Sequence, residues 1–185
     1  MISLILIDKD NFENFKDDIQ VIEKASFPTP WTLNAFREEI DKSVSHLWGL
    51  IANEGLVGYI CFWEFAGEIH LMNIAVHPDR RGKGFGQYML SRMIEAGISK
   101  GDQTVWLEVR PSNVAARRLY KNTCFRETGR RPHYYKDTHE DAIVMSLFLK
   151  KKKKHLRDMG EEHSENYLIY PSVRRGIGDR VNSQS

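Results

Sequence analysis

Gly82, Gly84 and Gly86 fall at alternate positions in DRRGKGFGQYML, between two apolar stretches of different period. Before them, IHLMNIAV (69–76) reads as a strand. After them, Met89, Leu90, Met93, Ile94 and Ile98 recur at helical spacing. The first backbone N–H groups of a helix have no internal partner. The helix dipole places about half a positive charge there. Glycines let an anion come close to the backbone, and Arg80, Arg81 and Lys83 add cations. Strand, glycine turn and helix therefore point to a phosphate-binding site set into a mixed α/β sheet.

Two better-known phosphate loops are excluded. A P-loop requires G-x-x-x-x-G-K-[ST], and no Lys-Ser or Lys-Thr pair follows Gly84 or Gly86. The dinucleotide fingerprint G-x-G-x-x-G would put its last glycine on Gln87 or Met89.

The rest of the chain supplies the sheet. Ser3 to Asp8 reads as a strand, and Asp10 or Asn11 caps a helix with Phe12, Phe15, Ile19 and Ile22 inward. Pro28 and Pro30 exclude helix in SFPTPW, and Thr32 caps a second helix with Leu33, Phe36 and Ile40. His46–Ala52, Leu56–Phe65 and the strand before the glycines form an antiparallel meander joined at NEG and FAGE. From Thr104 to Arg110 the pattern alternates: Val105, Leu107 and Val109 take one face, Trp106, Glu108 and Arg110 the other. Ser112 or Asn113 caps a short helix reaching about Lys121. Phe125–Thr128 and Ala142–Leu149 are two more strands, with GRRPHYYKDTHED between them as a loop. The order β-α-α-β-β-β-α-β-α-β-β describes a mixed sheet with helices on both faces.

Length suits one domain, 1–149, followed by a basic, polar and poorly ordered tail, 150–185. Charge is uneven: the tail holds nine basic and five acidic residues, and the remainder eighteen and twenty. A slightly acidic body argues against direct nucleic-acid binding by the core, leaving the lysine run as a candidate anion contact. No apolar run is long enough for a membrane span, and the start has neither basic flank nor cleavage site. Cys61 and Cys124 make neither a disulfide framework nor a metal spacing, which fits the cytoplasm and gives no metal site.

MNIAVHPDRRGKGFGQYML resembles the acyl-CoA motif of the GCN5-related N-acetyltransferase (GNAT) superfamily, R/Q-x-x-G-x-G/A, here Arg81 to Gly86. WLEVRPSNVAARRLYKNTCF, GRRPHYY, EDAIVMSL and SFPTPWTLNAF resemble the RimI type, the ribosomal-protein-alanine N-acetyltransferases. The resemblance spans about residues 1–149, with four motifs in order. It departs at Cys124, where a glycine is usual, at KNT, and in the tail. It implies the GNAT acyl-CoA N-acyltransferase fold, with a central, mostly antiparallel mixed sheet, and acetyl-CoA as co-substrate. It also implies that Arg81, Gly82, Lys83, Gly84, Phe85, Gly86 and Gln87 hold the CoA pyrophosphate. Ile74, Ala75 and Val76 would pair with the pantetheine arm, and Asn113 would lie against CoA. Glu108 would accept the amine's proton and Tyr120 would protonate the departing thiolate. Phe27, Trp31, Tyr134 and Tyr135 would line the acceptor slot. The implied partner is a protein or peptide N-terminus, a ribosomal protein in the favoured case.

Other readings stand beside these. Glu108 could be a surface carboxylate paired with Arg110, Tyr120 a core tyrosine, and the aromatics simple packing. A small-molecule amine or a lysine could be the acceptor. A non-catalytic acyl-CoA-binding module would have lost its base or acid, yet Glu108 and Tyr120 are both present. A ribosome- or nucleic-acid-binding protein would depend on the tail.

Overall fold

A computed structural model describes residues 2–53 and 55–149; the tail expected to be poorly ordered lies outside the described residues. The elements are β1 (Ile2–Ile7), α1 (Phe12–Ser26), α2 (Leu33–Asp41), β2 (Ser45–Ala52), β3 (Gly55–Phe65), β4 (Glu68–Val76), α3 (Phe85–Lys100), β5 (Thr104–Val109), α4 (Val114–Asn122), β6 (Arg126–Tyr135) and β7 (Glu140–Phe148). Their order is the one the sequence predicts. The strands form a 7-stranded sheet, β1-β2-β3-β4-β5-β7-β6. Every neighbouring pair is antiparallel except β4 and β5, which run parallel.

Local chemistry sets the helix starts. Thr32 accepts from the Ala35 N–H, and Asn113 from the Ala116 N–H, each satisfying one of the unpartnered donors of a first turn. Asn11 does not cap α1 by side chain as expected. Its Oδ1 accepts from Asp8 N and its Nδ2 donates to the Leu6 carbonyl, tying the helix start to the end of β1.

The two sheet faces carry separate cores. Met89, Leu90 and Met93 of α3 pack with Tyr120 of α4 on Ile60, Ile69, Leu107 and Met145. Ile19 and Ile22 of α1 and Phe36 of α2 pack on Leu47, Tyr59 and Cys61 across the sheet. Phe36 is fully buried and sits edge-on to Tyr59 at 5.4 Å, so Phe36→Ala costs about 3–5 kcal/mol.

The feature that positions the site is the β4–β5 seam. Pairing runs from Glu68 opposite Thr104 to Leu71 opposite Leu107, and stops. A bulge lies at the same level on the other side of β4: Cys61 pairs with Asn73 and Phe62 with Leu71, leaving Met72 unmatched. Such bulges bend a strand. From there β4 continues to Val76 and β5 to Val109 without pairing to each other, which opens a notch in the sheet.

β6 departs from expectation. The stretch read as a loop is strand as far as Tyr135, with irregular register at Glu127/Gly129 and Arg131/Tyr135. It is the sheet edge and almost wholly exposed, so no apolar alternation is needed, and Pro132 is tolerated there.

Candidate active site

The glycine turn opens onto the notch. Gly82 has φ 75° and Gly84 φ 81°, left-handed values that disfavour a side chain. Arg81 N bonds to Pro78 O, and Tyr88 N bonds to Gly84 O. Between them, no intramolecular hydrogen bond engages the amides of Gly82 to Gln87 among the described residues. A row of unpartnered donors at a helix N-terminus can receive a diphosphate. Arg81 itself is spent elsewhere: its Nε donates to the Val76 carbonyl and one Nη to Ser26 Oγ, pinning the turn to β4 and α1. Of the cations at the turn, the side chains of Arg80 and Lys83 make no hydrogen bond or ion pair among the described residues, although Arg80 N bonds to His77 O. Val76, Ala75 and Ile74 pair with Gly58, Tyr59 and Ile60 on one side only, so their other edge faces the notch, where Arg81 occupies the Val76 carbonyl.

Glu108 and Tyr120 approach from opposite faces. Leu107 and Val109 point into the α3 side, and Glu108 between them points to the α1 side. The alternative pairing of Glu108 with Arg110 does not form: Arg131 Nη2 reaches Glu108 Oε1 at 3.1 Å, and Arg110 binds Asp137. The Glu108 side chain keeps 29% of its exposure. Tyr120 is 5% exposed on α4, and no hydrogen bond engages its hydroxyl among the described residues. Burial raises its pKa above that of an ordinary phenol, and Tyr135 nearby adds to the rise. Asn113 spends its side-chain oxygen on the α4 cap, leaving the amide nitrogen for a ligand.

Residues 16–124 match the acetyltransferase (GNAT) family. This chain belongs to the GNAT acetyltransferases. The [ribosomal protein bS18]-alanine N-acetyltransferase of Haemophilus influenzae is 35% identical over 69% of this chain and 88% of its own length. The Escherichia coli K12 enzyme of the same name is 34% identical over 68% and 86%. The crystal structure of the Escherichia coli ribosomal-protein alanine N-acetyltransferase aligns with a TM-score of 0.73 at 29% identity, covering 84% of this chain and 99% of the other. NAA60 of Arabidopsis thaliana, solved with acetyl-CoA, shares the fold with a TM-score of 0.67 at 17% identity, over 80% and 99%. The chain is thus an N-acetyltransferase of a family whose acetyl donor is acetyl-CoA.

Two segments carry the residues expected to line the acceptor slot. Phe27 and Trp31, both half-buried, lie between α1 and α2, with Trp31 5.4 Å from Phe36. Tyr134 and Tyr135 end β6, perpendicular to each other at 5.1 Å; Tyr134 is 46% exposed. Burial pushes the Tyr135 hydroxyl up to about 12, against the pull of Arg110.

Several residues at this site escape sequence reading. Glu23, fully buried on α1, accepts from the Trp31 N–H at 2.7 Å, from Asn73 Nδ2 and from the Tyr59 hydroxyl. Its place was signalled: Ile19, Ile22 and Glu23 are spaced i, i+3, i+4, so this carboxylate belongs to the buried stripe. Arg110, Arg131 and Asp137 gave no such signal, because the ion pairs join residues from different strands and turns.

Proposed function

We propose that this enzyme acetylates a protein N-terminal α-amine, an alanine of a small-subunit ribosomal protein in the favoured case. The observation that carries the reading is the notch itself. A thioester seated along the β4 edge would have Glu108 on one side and Tyr120 on the other. The names of the Haemophilus influenzae and Escherichia coli relatives support the alanine acceptor.

Each residue has a task. The amides of Gly82 to Gln87 take the diphosphate, and the free edge of Ile74 to Val76 takes the pantetheine amides. Phe27, Trp31, Tyr134 and Tyr135 border the acceptor. Glu108 removes the amine's proton, directly or through one water, and Arg131 at 3.1 Å orients it. Tyr120 donates its proton to the departing sulfur. A phenol near pKa 10 is a poor donor to a thiolate near 8.5 in water. In a dry notch the thiolate is penalised as well: burial is the main cause that pushes the Cys61 thiol from 9.0 up to about 12, against a hydrogen bond from Ser45. Shared desolvation raises both groups together and leaves the mismatch in place, so proton transfer concerted with sulfur departure must offset it.

The acceptor type follows from magnitudes. An α-amine of pKa about 7.7–8.0 is roughly one-tenth neutral at pH 7, whereas a lysine near 10.4 is neutral about once in a few thousand. A single carboxylate base suits the first. Mass spectrometry after incubation with acetyl-CoA and peptides differing in their first residues tests the reading. Acetylation confined to the α-amine of alanine-first peptides is expected; acetylated lysine side chains or free amines instead would overturn it. Glu108→Gln is expected to lower turnover roughly 10²- to 10⁴-fold with little change in acetyl-CoA affinity.

A further inference from the structure

The α1–α2 segment and the β6–β7 turn, 108 residues apart in sequence, meet where Thr29 Oγ1 donates to Asp137 Oδ2 at 2.8 Å. Asp137 is clasped in turn by Arg110, whose two Nη atoms reach its two carboxylate oxygens at 2.9 Å each. Arg110 also donates to Thr138 Oγ1 at 2.6 Å and lies over the Tyr135 ring at 3.9 Å from its centroid. This two-pronged pairing fixes both groups in one plane. Hydrogen bonds from Arg110 and Thr29 pull the Asp137 carboxyl down to about 2, so the cluster stays charged wherever an enzyme works. Acyl transfer itself asks for none of these groups.

Their position is informative. Arg110 follows Glu108 by two residues, a distance of about 7 Å along extended chain and on the same side of it. One residue of a peptide spans about half that distance. A peptide whose amine lies at Glu108 and whose chain runs toward Arg110 would bring its first side chain toward Arg110 and the Thr29–Asp137 bond that it anchors.

We propose that Arg110, Asp137 and Thr29 form a latch that joins the two borders of the acceptor slot and restricts it to a small first side chain. This rests on the N-terminal acceptor reading above. Arg110 is the anchor, and Thr29 and Asp137 are specificity-determining positions. Thr29 carries the clearest test, because an exposed hydroxyl can be removed without touching either core.

The experiment has two arms, applied to wild type, Thr29→Val, Thr29→Ser and Asp137→Asn. Hydrogen exchange of the protein alone reads the latch without reference to activity. Thr29→Val and Asp137→Asn are expected to speed exchange roughly tenfold in both 27–32 and 136–139, and Thr29→Ser to leave it unchanged. Steady-state kinetics on peptides beginning with alanine, serine, leucine or methionine reads selection. The Val and Asn variants are expected to raise KM for the alanine peptide roughly tenfold at nearly constant kcat, to accept leucine or methionine, and to keep the wild-type KM for acetyl-CoA. Unaltered exchange in Thr29→Val would overturn the latch. Faster exchange with an unchanged first-residue profile would overturn its role in selection. Wild type that acetylates no peptide α-amine, while the exchange arm behaves as expected, would sink the N-terminal reading and the selection claim together and leave the mechanical tie standing.

Discussion

Glu23 is a carboxylate without a cation among its hydrogen-bond partners, fully buried and held by Trp31 N, Asn73 and Tyr59. Burial lifts its pKa from 4.5 to about 7, against the pull of the Trp31 and Asn73 hydrogen bonds. The folded protein therefore keeps a proton that the unfolded chain has already released between those values. Stability falls as pH climbs from about 4.5 to about 7 and is level above, a loss of about 3 kcal/mol. Urea denaturation at pH 5 and pH 8 is expected to show this difference in wild type and to lose most of it in Glu23→Gln; an equal difference in both would refute the assignment. Tyr120→Phe removes a hydroxyl with no partner among the described residues, so it should leave stability within about 1 kcal/mol while lowering turnover 10²-fold or more. An unchanged rate would remove Tyr120 as the acid. Glu108, Tyr120 and the glycines could be put forward as single positions because each sits in a patterned element. The company they keep was not: Glu108 with Arg131, and Arg110 with Asp137, are pairings that only the sheet register creates.

At the scale of elements, the entry to α3 makes the sharpest demand on sequence. Gly84 at φ 81° is the cap residue, and a β-branched side chain there is forced into a left-handed conformation costing roughly 1–2 kcal/mol. Gly84→Val is expected to weaken acetyl-CoA binding by tenfold or more in calorimetry, because the amides on either side lose their alignment; an unaltered dissociation constant would contradict the cradle. The strand and helix order could be read because each buried element has one apolar face with its own period. β6 could not, since an edge strand such as Arg126–Tyr135, exposed on both faces, carries no period at all. The side-chain cap predicted for α1 also failed, because Asn11 finds better partners in the end of β1.

For the whole molecule, a ligand that spans the turn on one side of the seam and α4 on the other should stabilise both. At a hundredfold excess over its dissociation constant, a ligand adds about 2.7 kcal/mol. For a protein of this size that raises Tm by about 5–10 °C. Thermal scans with acetyl-CoA are expected to show the rise in wild type and to lose it in Gly84→Val. The seam also separates the molecule in time. The buried members of the cluster beneath α1 and α2 all lie between Ile7 and Ala75, so the first four strands and two helices contain one complete core face. Phe36→Ala should therefore slow refolding, whereas Met145→Ala on β7 should chiefly hasten unfolding, as chevron plots would measure. A nascent chain would hold the α1–α2 side of its framework first, and would gain Glu108, the proposed base, only when β5 docks beside Leu71.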